Sequence, residues 1–171
     1  MSFKRRLLTL AAGAATVPAV LVAIPAGTAS AHGYVSSPAS RQAQCAQNTV
    51  SCGDIKWEPQ SVEGPKGLMS CNGGVGRFAD LNNDSKGWKV HSLGRTTTFR
   101  WTITARHRTS TWEYFVDGAK VATVNDNGAQ PGATVTHSVN LQQSGRHKIL
   151  ARWNVYDTAN AFYACIDANI S

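Results

Sequence analysis

The chain has 171 residues and a formal net charge of +7, from 17 basic and 10 acidic side chains. Lys4, Arg5 and Arg6 supply three of the positive charges, so the remainder of the chain carries only +4. The other Lys and Arg residues are scattered and form no basic stripe, which argues against nucleic-acid binding. The length fits one domain with a substantial hydrophobic core.

Residues 1–31 have the pattern of a secretory signal peptide. A basic start precedes the apolar run "LLTLAAGAATVPAVLVAI", and Ala29 and Ala31 occupy the −3 and −1 positions of an A-x-A cleavage site. A membrane anchor is the alternative, because the run reaches the lower edge of a spanning length. The proline within the run and the adjacent cleavage site favour the signal peptide, and the two arginines leave both general and twin-arginine export open. We therefore predict a secreted, extracellular domain of residues 32–171 that begins at His32 and has no membrane segment.

The four cysteines, Cys45, Cys52, Cys71 and Cys165, all lie in the predicted mature domain. An even number of cysteines in an exported chain indicates disulfides, and the absence of a C-x₂-C pair argues against zinc. Four cysteines allow three pairings. We favour Cys45–Cys52 with Cys71–Cys165, which would close one short loop and tie the last strand to the middle of the chain.

The first half of the mature domain, residues 32–95, is rich in Gly, Ser, Asn, Pro and Gln. Segments such as "CNGGVGRF" and "LNNDSKGW" are typical of loops and turns. We expect this half to be irregular, with one or two short helical turns, and to be held in place by disulfides.

Alternating apolar and polar residues begin at Thr96. The segment "TTTFRWTITA" predicts one strand, and "TWEYFVDGAKVATV" predicts two strands joined by a turn at Asp117-Gly118. Three further strands are predicted in "ATVTHSVNL", "RHKILARWNVY" and "AFYACIDANI". Short strands at this spacing predict an all-β protein, an immunoglobulin- or fibronectin-III-like antiparallel β-sandwich.

Cleavage after Ala31 would give His32 a free α-amino group beside its imidazole. The amine and Nδ1 of one histidine can chelate the same metal ion, and an α-amino group titrates near pH ~8. One more imidazole would complete a three-nitrogen site, a donor set that favours copper. The alternative is that cleavage exposes a histidine by chance.

Three of the five histidines, His91, His137 and His147, lack a partner at the spacing of metal ligands. We assign none of them to a metal. His137 alternates with valines on a predicted strand, so we expect it to be a hydrogen-bonded histidine of the core.

Four segments carry a resemblance to a known family: "HGYVSSPASRQAQC" at 32–45, "WEPQSVEGPKG" at 57–67, "WTITARHRTSTWEYF" at 101–115 and "DTANAFYACIDANI" at 157–170. Together they resemble the bacterial lytic polysaccharide monooxygenases of the chitin-binding-protein type, auxiliary activity family ten, in their chitin-active branch. The resemblance spans residues 32–171 in order. It implies a copper monooxygenase domain.

The resemblance also assigns the residues of the metal centre. His32 matches the amino-terminal ligand, and His107 matches the second histidine that completes the copper site. Phe162 matches an aromatic ring on one axial side, and Ala105 matches the small residue that limits access on the other. Glu63 matches a carboxylate facing the oxygen-binding position. Without the resemblance, Ala105 would be an ordinary strand residue and Glu63 a solvated surface residue.

The same comparison assigns a flat substrate face around the metal centre. An aromatic ring can stack on the apolar face of a sugar, and the family has an aromatic residue, usually tyrosine, at position 57. Neighbouring polar side chains would supply hydrogen bonds. The residues assigned to this face are Trp57, Glu58, Gln60, Thr109, Asp157 and Asn160.

The resemblance implies an enzyme, a secreted monomer that cleaves crystalline chitin oxidatively at C1. Its cofactor would be one copper ion cycling between Cu(II) and Cu(I), with an external electron donor and O₂ or H₂O₂ as co-substrate. Two other functions stay open. A non-catalytic chitin-binding protein on the same scaffold would not need His32 as first residue, and an exported copper carrier would leave Trp57 and Glu63 unexplained. The donor, the chitin polymorph and any activity on cellulose are not determined by the sequence.

Overall fold

The computed structural model describes residues 30–171, so the predicted signal peptide lies almost entirely outside the described residues and stays a prediction. Within the described part, no helix is long and apolar enough to cross a bilayer. The elements are β1 (His32–Ser37), α1 (Arg41–Ala46), β2 (Glu63–Pro65), β3 (His91–Leu93), β4 (Thr96–Ala105), β5 (Thr109–Val116), β6 (Ala119–Asn125), β7 (Thr134–Asn140), β8 (Gly145–Val155) and β9 (Asn160–Ile170), with 3₁₀ helices at Asp54–Lys56 and Gly76–Asn82.

The strands form two sheets that pack face to face. The smaller sheet has the order β1-β4-β7, and the larger has the order β2-β9-β8-β5-β6 with β3 added beside β9. Side chains of β4, including Phe99 and Trp101, meet Trp112, Trp153 and Phe162 of the larger sheet in one buried cluster. The predicted β-sandwich is confirmed.

The strands predicted from alternation are also confirmed. β4 begins at Thr96, and β5 and β6 pair across the Asp117-Gly118 turn. Both turn residues have positive φ, 46° and 89°, as the two-residue hairpin turn of type I′ requires. Four of the five tryptophans belong to the core, with Trp101, Trp112 and Trp153 at 0% exposure and Trp88 at 5%.

The first half is more regular than predicted. It contains β1, β2, β3 and the short helix α1 besides two 3₁₀ helices. β3 runs parallel to β9, so the larger sheet is not wholly antiparallel as predicted. The cause is that β2 and β3 have only three residues each and exist because they hydrogen-bond to β9, a contact that local alternation does not reveal.

One buried arginine joins the loop-rich half to the larger sheet. Arg41 of α1 is 1% exposed and donates two 2.8 Å hydrogen bonds, from Nε and Nη2, to the Asp167 carboxylate on β9. It also donates to the Leu81 carbonyl and to Asp84, each at 2.8 Å. A charge is tolerated at this depth because it is fully paired.

Both predicted disulfides are present. Cys45–Cys52 joins α1 to the loop that follows it, and Cys71–Cys165 joins the loop-rich half to β9 across 94 residues. No free cysteine occurs among the described residues.

The two bridges are expected to differ in their contribution to stability. In the chain-entropy model a bridge across ~95 residues contributes about 4–5 kcal/mol and one across ~8 residues about 2.5 kcal/mol. The double variant Cys71→Ala/Cys165→Ala should therefore lower the free energy of unfolding more than Cys45→Ala/Cys52→Ala. Urea unfolding of both variants checks this, and equal losses would contradict the expectation.

A second buried ion pair lies on the face of the larger sheet that points away from the smaller sheet. The loop-rich half contacts this face. Glu113 accepts hydrogen bonds from Arg152 Nε and Nη2 at 2.9 and 2.6 Å, from Asn154 at 2.7 Å and from Lys120 at 2.7 Å. Burial by itself would raise the pKa of Glu113, but these hydrogen bonds outweigh it and lower the pKa to about 2. Arg152 also donates to the Leu68 carbonyl, so this network holds the loop before Cys71 against the sheet.

Glu113→Gln should destabilise the protein by about 2 kcal/mol at pH 7, less than a fully buried pair, because Lys120 is half-exposed. The pKa is lower in the folded state, so the carboxylate stabilises the fold above pH ~4.5 and ceases to do so as pH falls toward ~2. The difference between variant and wild type should therefore shrink over that range in urea titrations. Glu58→Gln removes a more exposed pair with Arg77 and, as the control, should lower stability less than Glu113→Gln does.

Candidate metal centre and substrate face

Strand pairing in the smaller sheet brings the two predicted ligands together. β1 runs antiparallel to β4 with His32 opposite Ala105, and His107 follows two residues later, just beyond the end of β4. Ala105 and His32 are each partly buried. The predicted pair of histidines is therefore placed at one end of the sandwich, with Ala105 beside it.

Glycine after His32 allows this placement without a shift of the core. A Cβ atom at Gly33 would lie 2.8 Å from Ile103 Cδ1, 3.1 Å from the Thr102 carbonyl oxygen and 3.2 Å from a Trp153 ring carbon. Real Cβ atoms essentially never come within 3.0 Å of another heavy atom, so a larger residue would displace the Ile103 side chain. The backbone of β1 thus lies directly on the core, and this contact fixes where His32 stands.

The larger sheet contributes an aromatic ring to the same place. Phe162 is completely buried, and its ring centre lies 6.1 Å from that of His32 at an angle of 54°. Phe162 packs on Trp153 at 4.9 Å, and Trp153 stacks on Trp112 at 5.2 Å. His32 therefore stands at the end of a column of aromatic rings that runs into the core, and the candidate metal centre lies where the two sheets meet.

A carboxylate orients the second histidine. Asp157, in the turn between β8 and β9, lies 2.6 Å from Nε2 of His107 through its Oδ1. The hydrogen bond from His107 lowers the pKa of Asp157. Carboxylates that accept from a histidine ring fix its orientation and raise its basicity as a ligand. The sequence analysis assigned Asp157 only to the substrate face and missed this contact.

Thr109 holds the backbone at His107 from the core side. Its hydroxyl donates to the His107 carbonyl at 3.2 Å and accepts from Trp153 Nε1 at 2.7 Å, and the residue is 0% exposed. A side chain with no exposed surface cannot contact a polymer. The prediction that Thr109 binds substrate is therefore wrong, because the side chain faces the core.

Glu63, Asn160 and Phe162 form a connected group. Glu63 lies opposite Phe162 in the β2–β9 pair, and its Oε1 accepts from Asn160 Nδ2 at 2.7 Å. A Cβ on Gly64, the next residue, would lie 1.8 Å from the carbonyl oxygen of Gly73. Glycine at 64 thus allows the neighbouring loop to cross β2 and fixes the position of Glu63.

The side chains by themselves offer too few ligands for a metal. Within residues 30–171 no three His, Cys, Asp or Glu side chains are grouped to hold an ion. In the uncleaved chain the backbone nitrogen of His32 is an amide, and Ser30 Oγ lies 3.2 Å from His32 Nδ1. Cleavage after Ala31 would convert that nitrogen to an amine, which together with two imidazoles makes an all-nitrogen donor set. This set fits copper.

The predicted aromatic residue of the substrate face is open to solvent. Trp57 is 79% exposed, and the Lys56 ammonium lies 4.7 Å from the centre of one of its indole rings. Its loop is attached to β1, since Gly33 N donates to the Gln60 carbonyl at 3.1 Å. Glu58 in the same loop is hydrogen-bonded by Arg77, which lowers the pKa of Glu58.

The roles of Trp57, Glu58, Gln60, Asp157 and Asn160 in substrate binding stay predictions. One exposed aromatic residue near the centre was not predicted at all. Tyr156, immediately before Asp157, is 47% exposed at the end of β8. The signal in the sequence was an aromatic residue directly before the "DTAN" segment.

The remaining histidines lie away from the centre in other contacts. His91 contacts the Ala39 carbonyl, His147 contacts Asp117, and His137 Nδ1 lies 2.7 Å from the Tyr114 hydroxyl. His137 is partly buried, and burial lowers its pKa. The predicted hydrogen bond of His137 is confirmed, but the residue is only partly buried and lies at the edge of the core, where one face of its strand remains open to solvent.

Comparison with curated proteins gives a relative of nearly equal length. A protein of Streptomyces ambofaciens named "Lytic chitin monooxygenase" is 62% identical over 159 residues, covering 92% of each chain.

Two solved structures show the same fold with substantial sequence identity. A Jonesia denitrificans lytic polysaccharide monooxygenase matches with a TM-score of 0.80 and 49% identity, over 82% of this chain and 100% of that one. The Bacillus amyloliquefaciens protein called CBM33, solved in complex with Cu(I), matches with a TM-score of 0.71 and 30% identity, over 82% of this chain and 100% of that one.

The family model described as "Lytic polysaccharide mono-oxygenase, cellulose-degrading" matches residues 32–168, which include every residue of the centre described above. With the histidine pair, the sandwich and these relatives in agreement, the chain belongs to the lytic polysaccharide monooxygenase family.

Proposed function

We propose that the chain is exported, cleaved after Ala31 and loaded with one copper ion, and that it then cleaves crystalline chitin oxidatively at C1. The observation that carries this proposal is the pairing of His32 with Ala105, which brings His107 beside a residue that cleavage would make the first of the chain. The matching region of the family model also begins at His32.

Copper would be held by the amine and imidazole of His32 and by the imidazole of His107. The donor set supports this choice, and so does the Cu(I) complex of the Bacillus amyloliquefaciens neighbour. When bound, copper supplies one-electron redox chemistry, with electrons from an external donor and O₂ or H₂O₂ as co-substrate.

The residues around the histidines control what reaches the centre. The Phe162 ring has no atom that can bind a metal, so it keeps the side of His32 that it covers free of water. Ala105 is small and limits access opposite His32. Asp157 holds the His107 ring through its Nε2 hydrogen bond.

Glu63 is placed to hold or move a proton. Its Oε1 is engaged by Asn160, so its Oε2 is the atom that can accept a proton beside Phe162. Asn160 prevents the carboxylate from turning away. Hydrogen bonding by Asn160 thus restricts the orientation of the Glu63 side chain, on a strand that pairs with Phe162.

Chitin is the proposed substrate because the Streptomyces ambofaciens relative, 62% identical, is named a lytic chitin monooxygenase. The exposed Trp57 ring supports a flat, polymeric substrate, because it can stack on a sugar without a cleft around it. The description of the family model names cellulose, so cellulose is the polymer to compare.

The experiment that tests the proposal uses the processed chain beginning at His32, loaded with copper, with ascorbate as reductant. β-Chitin and cellulose are incubated separately, and soluble products are identified by mass spectrometry. Chitooligosaccharides ending in aldonic acids are the expected result. Binding to chitin without oxidised products would support a binding protein, copper binding without polymer binding would support a carrier, and oxidised products from cellulose alone would overturn the substrate assignment.

Retaining Ala31 should abolish both the tight copper site and the oxidised products. The fold should be unchanged, because Ala31 packs in the core of the uncleaved chain at 1% exposure. Copper titration calorimetry and thermal unfolding of the chains starting at Ala31 and at His32 measure the two effects. Equal copper affinity in the two chains would refute the role of the amine.

Glu63→Gln should slow the formation of oxidised chitooligosaccharides by about 10²-fold, because a positioned proton-transfer group typically contributes that much. The amide keeps the shape of the side chain and can still bond Asn160, so copper affinity should change less than about twofold, within the usual spread of such measurements. Initial rates and copper titrations are compared with wild type. An unchanged rate would mean that Glu63 serves only as a structural partner of Asn160.

A further inference from the structure

The described residues include three large apolar side chains with high exposure: Trp57 at 79%, Met69 at 49% and Tyr156 at 47%. Trp57 already belongs to the predicted substrate face. Tyr156 adjoins the metal centre on a different loop. Exposed apolar groups beside a functional centre are typical of binding surfaces, so the position of Tyr156 calls for an explanation.

Two hydrogen bonds attach the segment of Tyr156 to the segment of His107. Its backbone N–H donates to the carbonyl of Arg108, the residue after His107, at 2.9 Å. The residue after Tyr156, Asp157, holds the His107 ring. These two contacts connect the segment of Tyr156 to the segment of the second histidine.

The Tyr156 ring is held in one orientation. The Arg108 guanidinium carbon lies 4.5 Å from the ring centre, and Arg108 Nε donates to the Gly128 carbonyl at 2.9 Å. A Cβ on Gly128 would lie 3.0 Å from Tyr156 Cε2 and 3.0 Å from Arg108 Nη2, so Gly128 fits closely against both. A ring fixed in this way loses little conformational freedom when a ligand binds to it.

Trp57 and Tyr156 share one arrangement. Each is covered on one side by a cation, Lys56 at 4.7 Å from Trp57 and Arg108 at 4.5 Å from Tyr156, and each keeps much of its surface in solvent. A cation on one face of a ring leaves the opposite face for stacking. The two residues are therefore two solvent-exposed aromatic rings, one on a loop bonded to β1 and one on the loop that carries Asp157.

We propose that Tyr156 is a second sugar-stacking residue, which binds the chitin chain on the His107 side while Trp57 binds it on the His32 side. A single ring holds one sugar but lets the chain pivot on it. A second ring on a separate loop fixes the direction of the chain across the two histidines, and so determines which bond faces the centre. This inference rests on the proposed function.

The experiment measures binding of the copper-loaded chain beginning at His32 to β-chitin in the absence of reductant. Tyr156→Ala should weaken binding about tenfold, the size expected for removing an aromatic contact. Tyr156→Phe keeps the ring and should bind within about twofold of wild type by the same argument. Met69→Ala is the matched control, since Met69 is exposed to nearly the same extent as Tyr156. It lines a groove with Cys71 and Gly118, at the far end of β5.

Copper affinity and thermal unfolding of Tyr156→Ala separate a binding role from a structural one. Weaker chitin binding with unchanged copper affinity and melting temperature supports the inference. Wild-type chitin binding by Tyr156→Ala overturns it, as does a parallel loss of copper affinity or stability, which would mean that the ring only supports the His107 loop. If wild type itself neither binds nor oxidises chitin, the proposed function fails instead, and that result is read from wild type before any variant is compared.

Discussion

The candidate metal centre depends on the antiparallel pairing of β1 with β4. This pairing sets His32 opposite Ala105 and so determines where His107 can stand. It holds because Gly33 lets the β1 backbone lie on Ile103 and Trp153 without a side chain between them. The two proposed ligands are thereby positioned by close packing of the core, the least deformable part of a protein.

The rest of the fold positions the loops at the end of the sandwich where His32 and His107 lie. The loop-rich half has little regular structure, and contacts between residues distant in the chain attach it to the larger sheet. These include the Cys71–Cys165 bridge, the ion pairs of Arg41 with Asp167 and of Lys148 with Asp84, and the hydrogen bond that Arg152 donates to the Leu68 carbonyl. Through this attachment β2 can pair with β9, and Glu63 comes beside Phe162. The result is an open face with two exposed rings, which suits an insoluble polymer better than a cleft would.

Much of this protein is determined by short-range features of its sequence. Alternation from Thr96 onward predicts the long strands, because burying one face of a sheet requires a period of two. The Asp117-Gly118 pair predicts its turn, because both positions need positive φ. The A-x-A site before His32 predicts a chelating terminus from cleavage chemistry. The resemblance then assigns His107, which no local pattern distinguishes from the other histidines.

Only the tertiary structure decides contacts between residues distant in the chain. β2 and β3 are too short to show alternation and form because β9 offers them hydrogen bonds. Thr109 looks like a polar surface residue in the sequence. In the β5–β8 pair its side chain is buried and hydrogen-bonded to the His107 carbonyl. Tyr156 becomes a candidate binding residue only when Arg108 and Gly128 are seen to hold its ring. In each case the cause is long-range packing, which no window of neighbouring residues contains.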